Sequence, residues 1–249
     1  MSSEHIAERS AATASRKPTR RRAQEVETVE RGDAGSRWTE ETALALLKRT
    51  DVLPENFEEL QRNQELMVVR KVRLALVQHP RAPRHVVLPV MRHLFTFELM
   101  QTGLKPSVPA DIRRTAEEML IRRLESVSIG ERLSLARRAS GRVAGALLAD
   151  PDEQVMRAAL ANGRVTESSI VKALNSAGCS AALVQAVCRH ESWSVRVEIQ
   201  IALLRNENTP LNRVLKIARS LPEAKVREVL QTSPLPERIK TYLQQEFQR

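Results

Sequence analysis

The sequence predicts an all-α fold: an α-solenoid of roughly six stacked helical hairpins over residues 37–249, behind a disordered tail over residues 1–36. Three observations carry the prediction. The first is composition: 42% of the 249 residues are hydrophobic, but only 3% are aromatic and 8 are Gly, a balance that suits helices better than twisted sheets or Gly-rich phosphate loops. The second is the placement of proline. Pro54, Pro83, Pro109, Pro151, Pro210, Pro222 and Pro236 each stand where one apolar pattern gives way to the next, and the first helical turn tolerates proline because its missing N–H has no partner to lose there. The third is a joint that repeats.

Residues 1–36 hold Ser, Ala, Thr, Arg and Glu with almost no large apolar side chains, so burial would not offset the entropy of ordering them. From Trp38 the helical patterns run almost without pause. VRLALVQHPRAPRHVVL (72–88) reads as a helix, a turn at His79 and a second helix from about Pro83. Pro89 lies inside that second helix, and Val86, Leu88, Val90, Leu94 and Phe97 carry the apolar pattern past it, so a kink is expected there rather than an end. Over 112–124, Ile112, Ala116, Met119, Leu120 and Leu124 follow core spacing and leave Arg113, Arg114, Arg122 and Arg123 outward. Asp150-Pro151-Asp152-Glu153 predicts a helix start with Asp150 as cap, Pro151 at the first helical position and Glu153 completing a capping box.

VMRAALANGRVTESSIV (155–171) and IQIALLRNENTPLNRVL (199–215) align without gaps to 72–88 when His79, Asn162 and Asn206 are superposed. Ala75, Ala158 and Ala202 then coincide, as do Val72, Val155 and Ile199 before the turn and Val87, Ile170 and Val214 beyond it. Aliphatics every three or four residues give each helix a core face, and the shared Ala allows a neighbouring helix to approach closely. Asn206, or Asn162 with Gly163, suits the left-handed turn that stops a helix, and Thr166 or Thr209-Pro210 starts the next. The joints are 83 and 44 residues apart, which points to a two-helix unit of about 40 residues. IRRTAEEMLIRRL and GERLSLARRASGRVAGALL then form a degenerate unit between the first two joints, and VREVLQTSPLPERIKTYL closes the array.

These residues resemble HEAT-like α-solenoids, and in particular bacterial leucine-rich-repeat-variant modules, whose repeats carry a pattern like V-R-x-A-L-A-x-N-x-x-T-P. The resemblance is best over 66–92 and 150–217 and weaker over the rest of 38–249. It implies a superhelix of stacked hairpins and says little about function. Some leucine-rich-repeat-variant proteins carry an iron–sulfur cluster on an added Cys-rich segment; this chain has no such segment, so that role is not carried over.

The net charge of +10 is unevenly spread: +1 over 1–36, −3 over 37–65, +9 over 66–142 and +3 over 143–249. The excess is mostly Arg, which pairs with carboxylates and phosphates in a planar, bidentate manner. Arg70, Lys71, Arg73, Arg81, Arg84, Arg113, Arg114, Arg122, Arg123, Arg137 and Arg138 are therefore the candidate partner-binding surface, since corresponding positions of successive repeats line one face. The plainer reading is a solvated helix exterior. In the tail, Arg16, Lys17, Arg20, Arg21 and Arg22 form a basic arm suited to nucleic acid, an anionic membrane surface or an acidic protein partner.

Local motifs for chemistry are lacking: there is no P-loop, no G-x-G-x-x-G and no H-E-x-x-H. His79 occupies the joint position held by Asn elsewhere, which argues for a role in ending its helix. His85 and His93 are too far apart for a two-residue metal clamp. Cys188 reads as a small buried hydrophobe and Cys179 as a loop thiol, neither with an activating motif. The expectation is a protein with no cofactor, no metal and no catalytic residues, in the cytoplasm and not inserted in a membrane, since two cysteines make no disulfide framework and no run of about 18 apolar residues occurs. Its expected role is a scaffold that docks an acidic protein partner. Nucleic-acid binding through the duplex backbone is the alternative, and a HEAT-like DNA glycosylase, which would need groove aromatics such as Trp193, comes third.

Overall fold

The structure, a computed structural model, describes residues 38–233 together with 237, 238, 240 and 241. The tail and its basic arm lie outside the described residues, as do Pro236 and Tyr242. The described chain is all-α, with fifteen helices, one short 3-10 turn and no strand among them.

In chain order the helices are α1 (Glu40–Leu47), α2 (Pro54–Arg62), α3 (Gln64–Val68), α4 (Arg70–Val77), α5 (Arg84–Met91), α6 (Thr96–Leu104), α7 (Ala110–Arg123), α8 (Ile129–Arg138), α9 (Gly141–Leu147), α10 (Glu153–Leu160), α11 (Glu167–Leu174), α12 (Ala181–Arg189), α13 (Val197–Leu204), α14 (Leu211–Ser220) and α15 (Glu223–Thr232). Most are only two to three turns long, too short to persist alone, so packing holds them.

Their starts follow the sequence. Pro54 is the first residue of α2, and Pro83, Pro109, Pro210 and Pro222 are the N-caps of α5, α7, α14 and α15. Side-chain oxygens cap several others: Ser128 accepts from the Glu131 amide, Ser180 from that of Leu183 and Thr166 from that of Ser169. At 150–153 the cap is Asp152, which accepts from the Gln154 and Val155 amides, while Asp150 accepts from the Asp152 amide one step earlier. Pro151 therefore lies ahead of the helix and not at its first position. Helix α5 runs through Pro89 but ends at Met91, so the apolar pattern from Val86 to Phe97 is divided between α5 and α6.

Two interleaved series of helices share one apolar core. In one series α1 packs on α4, α8 on α10 and α10 on α12; in the other, α2, α5, α7, α9, α11, α13 and α15 each pack on the next. Helix α4 is tied to α6 by Gln78 Nε2, which donates to Thr102 Oγ1 at 3.4 Å, and by Lys105 Nζ, which donates to Gln78 Oε1 at 3.1 Å. Contacts such as α4 with α5, α6 with α7 and α8 with α9 join the two series.

The joints explain how successive helices are held. Asn162 Nδ2 donates to the Ala136 carbonyl at 2.8 Å, and its Oδ1 accepts from the Arg164 amide at 2.9 Å. Asn206 does the same with the Leu174 carbonyl and the Asn208 amide, at 2.9 and 3.0 Å. His79 reproduces both bonds with its ring: Nε2 donates to the Arg49 carbonyl at 2.8 Å and Nδ1 accepts from the Arg81 amide at 3.1 Å. Each side chain thus satisfies a carbonyl at the end of an earlier helix in its own series and stiffens its own turn.

The distance of this backward reach sets the physical unit. It is 30 residues for His79, 26 for Asn162 and 32 for Asn206, and Arg123, Trp193 and Ser233 reach back 29, 33 and 29 to the carbonyls of Leu94, Leu160 and Leu204. A unit near 30 replaces the expected 40. The 83 residues between the first two joints are then about three units, and the 44 to the third are about one and a half. That half-unit is why His79 and Asn162 end helices α4 and α10 of one series, whereas Asn206 ends α13 of the other.

Candidate cationic groove

The structure divides the eleven candidate basic residues into groups with different work. Several are neutralised on the exterior. Arg70 pairs with Glu98 at 2.9 Å and lies 4.4 Å over the Phe95 ring, Arg84 pairs with Asp111 at 3.0 Å, and Arg114 shares Glu118 with Arg142 at 3.4 and 3.0 Å. The Arg142 hydrogen bond is the main reason the Glu118 carboxyl is held below its usual range. The Arg84 and Glu118 pairs are exposed and add little stability, whereas Glu98 is buried beside Arg70; all of them cancel local charge.

Others are spent on backbone. Arg123 donates to the Leu94 and Arg92 carbonyls at 2.6 and 2.8 Å, and Arg81 to the Thr50 carbonyl at 3.3 Å. Arg113 and Arg123, expected to point outward, are half-buried, and the Nε atoms of Arg73 and Arg113 are buried. Arg122 and Arg114 are exposed as expected. Of the helix's expected core, Ile112, Ala116, Leu120 and Leu124 are buried and Met119 is half-buried.

Lys71, Arg137 and Arg138 come together with four cations that sequence reasoning missed: Lys48, Arg49, Lys105 and Arg164. They line two adjoining concavities of about 430 and 500 Å³ that share Gln78 and Lys105. The first runs between α1, α4 and α6, and the second between α4, α6, α8 and the joint after α10. Leu74 and Ala75 give the first an apolar floor, and Met100 and Leu104 give one to the second. Among the described residues, no carboxylate lines either.

The reason for cations here is local. Lys48, Lys105 and Arg138 stand at the C-terminal ends of α1, α6 and α8, where unsatisfied carbonyls and the helix dipole favour positive charge. Arg164, just past the Asn162 joint, extends to the Arg138 carbonyl at 3.4 Å. Arg49 is paired with Asp51 at 2.7 Å, and that hydrogen bond holds the Asp51 carboxyl down to about 2. Lys48, Lys71, Arg137 and Arg138 make no side-chain hydrogen bond or ion pair among the described residues, so their charge faces solvent across the groove. Lys48, Arg49 and Arg164 lie outside the charge-dense stretch 66–142. The available signal was positional: a cation at or soon after the ends of α1, α6, α8 and α10.

The candidate chemical groups are occupied structurally. His79 is buried in its joint with its ring 4.9 Å from that of Phe57, and His85 contacts Glu58 at 3.2 Å on the surface. Cys188 is buried and Cys179 half-buried, and burial pushes both thiols up. Trp193 donates from Nε1 to the Leu160 carbonyl at 3.3 Å, with Arg196 stacked 4.7 Å over its ring. Among the described residues, no three His, Cys, Asp or Glu side chains are grouped to hold a metal ion, and no helix is long and apolar enough to cross a membrane.

A scan of protein-family models returns no match to this chain, and comparisons with curated proteins and with solved structures return none either.

Proposed function

We propose that the chain is a non-catalytic interaction scaffold: a HEAT-like α-solenoid of stacked helical hairpins, acting in the cytoplasm, that docks an acidic segment of a partner protein in the cationic groove. One observation carries the reading. The groove combines unpaired cations with an apolar floor and no carboxylate, which suits a polypeptide that presents carboxylates beside aliphatic side chains. Arg70, Arg84 and Arg114 elsewhere face carboxylates, whereas Lys48, Lys71, Arg137 and Arg138 leave their charge free in one place.

Binding to a duplex backbone is the second reading, because phosphates need only Lys and Arg. The apolar floor gives phosphates nothing, and among the described residues no Phe, Tyr or Trp lines the groove for base stacking, while the His79 ring is buried in its joint. The same shortage weighs against the glycosylase reading, since Trp193 is held by the Leu160 carbonyl.

The test is fluorescence anisotropy of the full chain with two probes, a labelled Glu-rich peptide containing valine and leucine and a random duplex of about 25 base pairs, each over a salt series. Micromolar peptide binding that weakens with salt, with the duplex at least tenfold weaker, is the expected result. Duplex binding that exceeds peptide binding overturns the protein-partner reading in favour of nucleic acid. Failure of both probes at low salt overturns both.

A further inference from the structure

A match for the groove's charge lies within the chain itself. Residues 23–30, AQEVETVE, carry Glu25, Glu27 and Glu30 beside Val26 and Val29 and hold no Lys or Arg. The first concavity offers the complement. Lys48 and Lys71 face it without a partner among the described residues, Lys105 lines the same space, and Leu47, Leu74 and Ala75 supply apolar surface.

The acidic stretch is also tethered close by. Trp38 is fixed against α2 by its Nε1, which donates to Glu59 Oε2 at 3.3 Å. Lys48 is the C-cap of α1, and a rise of about 1.5 Å per residue puts it about 15 Å from Trp38. Glu30 stands eight residues before Trp38, and a chain of that length spans up to about 26–29 Å. Residues 25–30 therefore reach back along α1 to the groove with chain to spare, and Gly32 and Gly35 lie where the direction must reverse. A tether of this length holds a segment at an effective concentration of order millimolar, so a contact too weak to last between separate molecules is filled within one.

Resting on the acidic-partner reading above, we propose that residues 25–30 are a built-in competitor for the groove. They occupy the first concavity, with carboxylates against Lys48, Lys71 and Lys105 and valines against Leu74 and Ala75, and an acidic partner binds by displacing them. The basic run at 16–22 has the sign of the groove and stays outside it. A groove filled in about nine molecules of ten binds an outside peptide about tenfold more weakly than an empty one.

Three full-length chains test this with the labelled Glu-rich peptide. One is the native chain, one carries Glu25→Gln, Glu27→Gln and Glu30→Gln, and a control carries Glu125→Gln, Glu191→Gln and Glu207→Gln. The control removes the same charge at exposed sites of the helical region. The tail variant should bind the peptide at least tenfold more tightly than the native chain, and the control less than threefold more tightly. A water-soluble carbodiimide, which joins carboxylates to amines in contact, should link residues 25–30 to Lys48, Lys71 or Lys105 within native monomers, and excess unlabelled peptide should suppress those links. Equal tightening in the tail variant and the control would reduce the effect to net charge and overturn the proposal, as would links found only between two copies. Equal affinity of the native chain and the tail variant overturns the competitor and leaves the acidic-partner groove in place. If neither chain binds the peptide at low salt and no such links form, the underlying reading fails as well.

Discussion

At the scale of single residues, the decisive side chains are those that close a turn and reach an earlier helix in the same bond pattern. Asn162 is buried and donates to the Ala136 carbonyl, with a longer second contact to the Ala139 carbonyl at 3.3 Å. Asn162→Ala would leave those carbonyls and the Arg164 amide unsatisfied, so a loss of about 1–3 kcal/mol in urea unfolding is expected; a change below a few tenths would refute the joint's role. That His79 ends a helix was legible, because it aligns with two asparagines. Its partner was not, since the Arg49 carbonyl lies 30 residues away and nothing in the local sequence marks it. The cysteines give a second check. With both thiols pushed up by burial, iodoacetamide should label the folded chain much more slowly than the urea-unfolded chain at neutral pH, with half-buried Cys179 ahead of Cys188; rapid labelling of Cys188 in the folded chain would contradict its placement.

At the scale of elements, the contact between α9 and the joint after α10 depends on a missing side chain. A Cβ on Gly141 would meet the Arg164 carbonyl oxygen at 2.0 Å and its carbon at 2.9 Å, and neither belongs to a side chain that could rotate away. Gly141→Ala should therefore destabilise the fold by about 1–3 kcal/mol or more. Gly130, near the start of α8, has nothing within 4 Å of the same added atom, so Gly130→Ala should stabilise by about 0.5 kcal/mol through helix propensity. Thermal melts that moved in the same direction would contradict this difference between the two sites. Asp150, at the approach to α10, is tied to Arg132 of α8 at 3.0 Å, and both side chains are largely buried. Arg132→Met leaves that carboxylate without its cation, and a loss of about 3 kcal/mol is expected in chemical denaturation; near-neutral behaviour would show that the pair is dispensable. Helix starts were legible here because proline and capping chemistry are local. The length of the unit was not, because three joints sampled two different series of helices and their spacings averaged to a false 40.

At the scale of the whole molecule, the sequence's charge total was a poor guide to its field. The +9 over 66–142 is real, but Arg70, Arg84 and Arg114 meet carboxylates, and Arg81 and Arg123 turn to carbonyls. The groove draws on Lys48 and Arg49 from the acidic segment before that region and on Arg164 from beyond it, so only three of the eleven candidates from the sequence reach it. Charge density along a chain and charge density in space diverge whenever helices about 30 residues apart become neighbours. The consequence can be tested by reversing equal charge at two places. Lys105→Glu with Arg138→Glu puts carboxylates where two helix ends meet the groove, and an acidic peptide should then bind at least tenfold more weakly, with a shallower dependence on salt because fewer cations face it. Arg84→Glu with Arg114→Glu makes the same net change at sites whose field is already cancelled, and should alter affinity less than threefold. Helical circular dichroism of both double variants separates a binding effect from an unfolded chain. Equal losses in two folded variants would show that net charge attracts the peptide and that the groove has no special part in holding it.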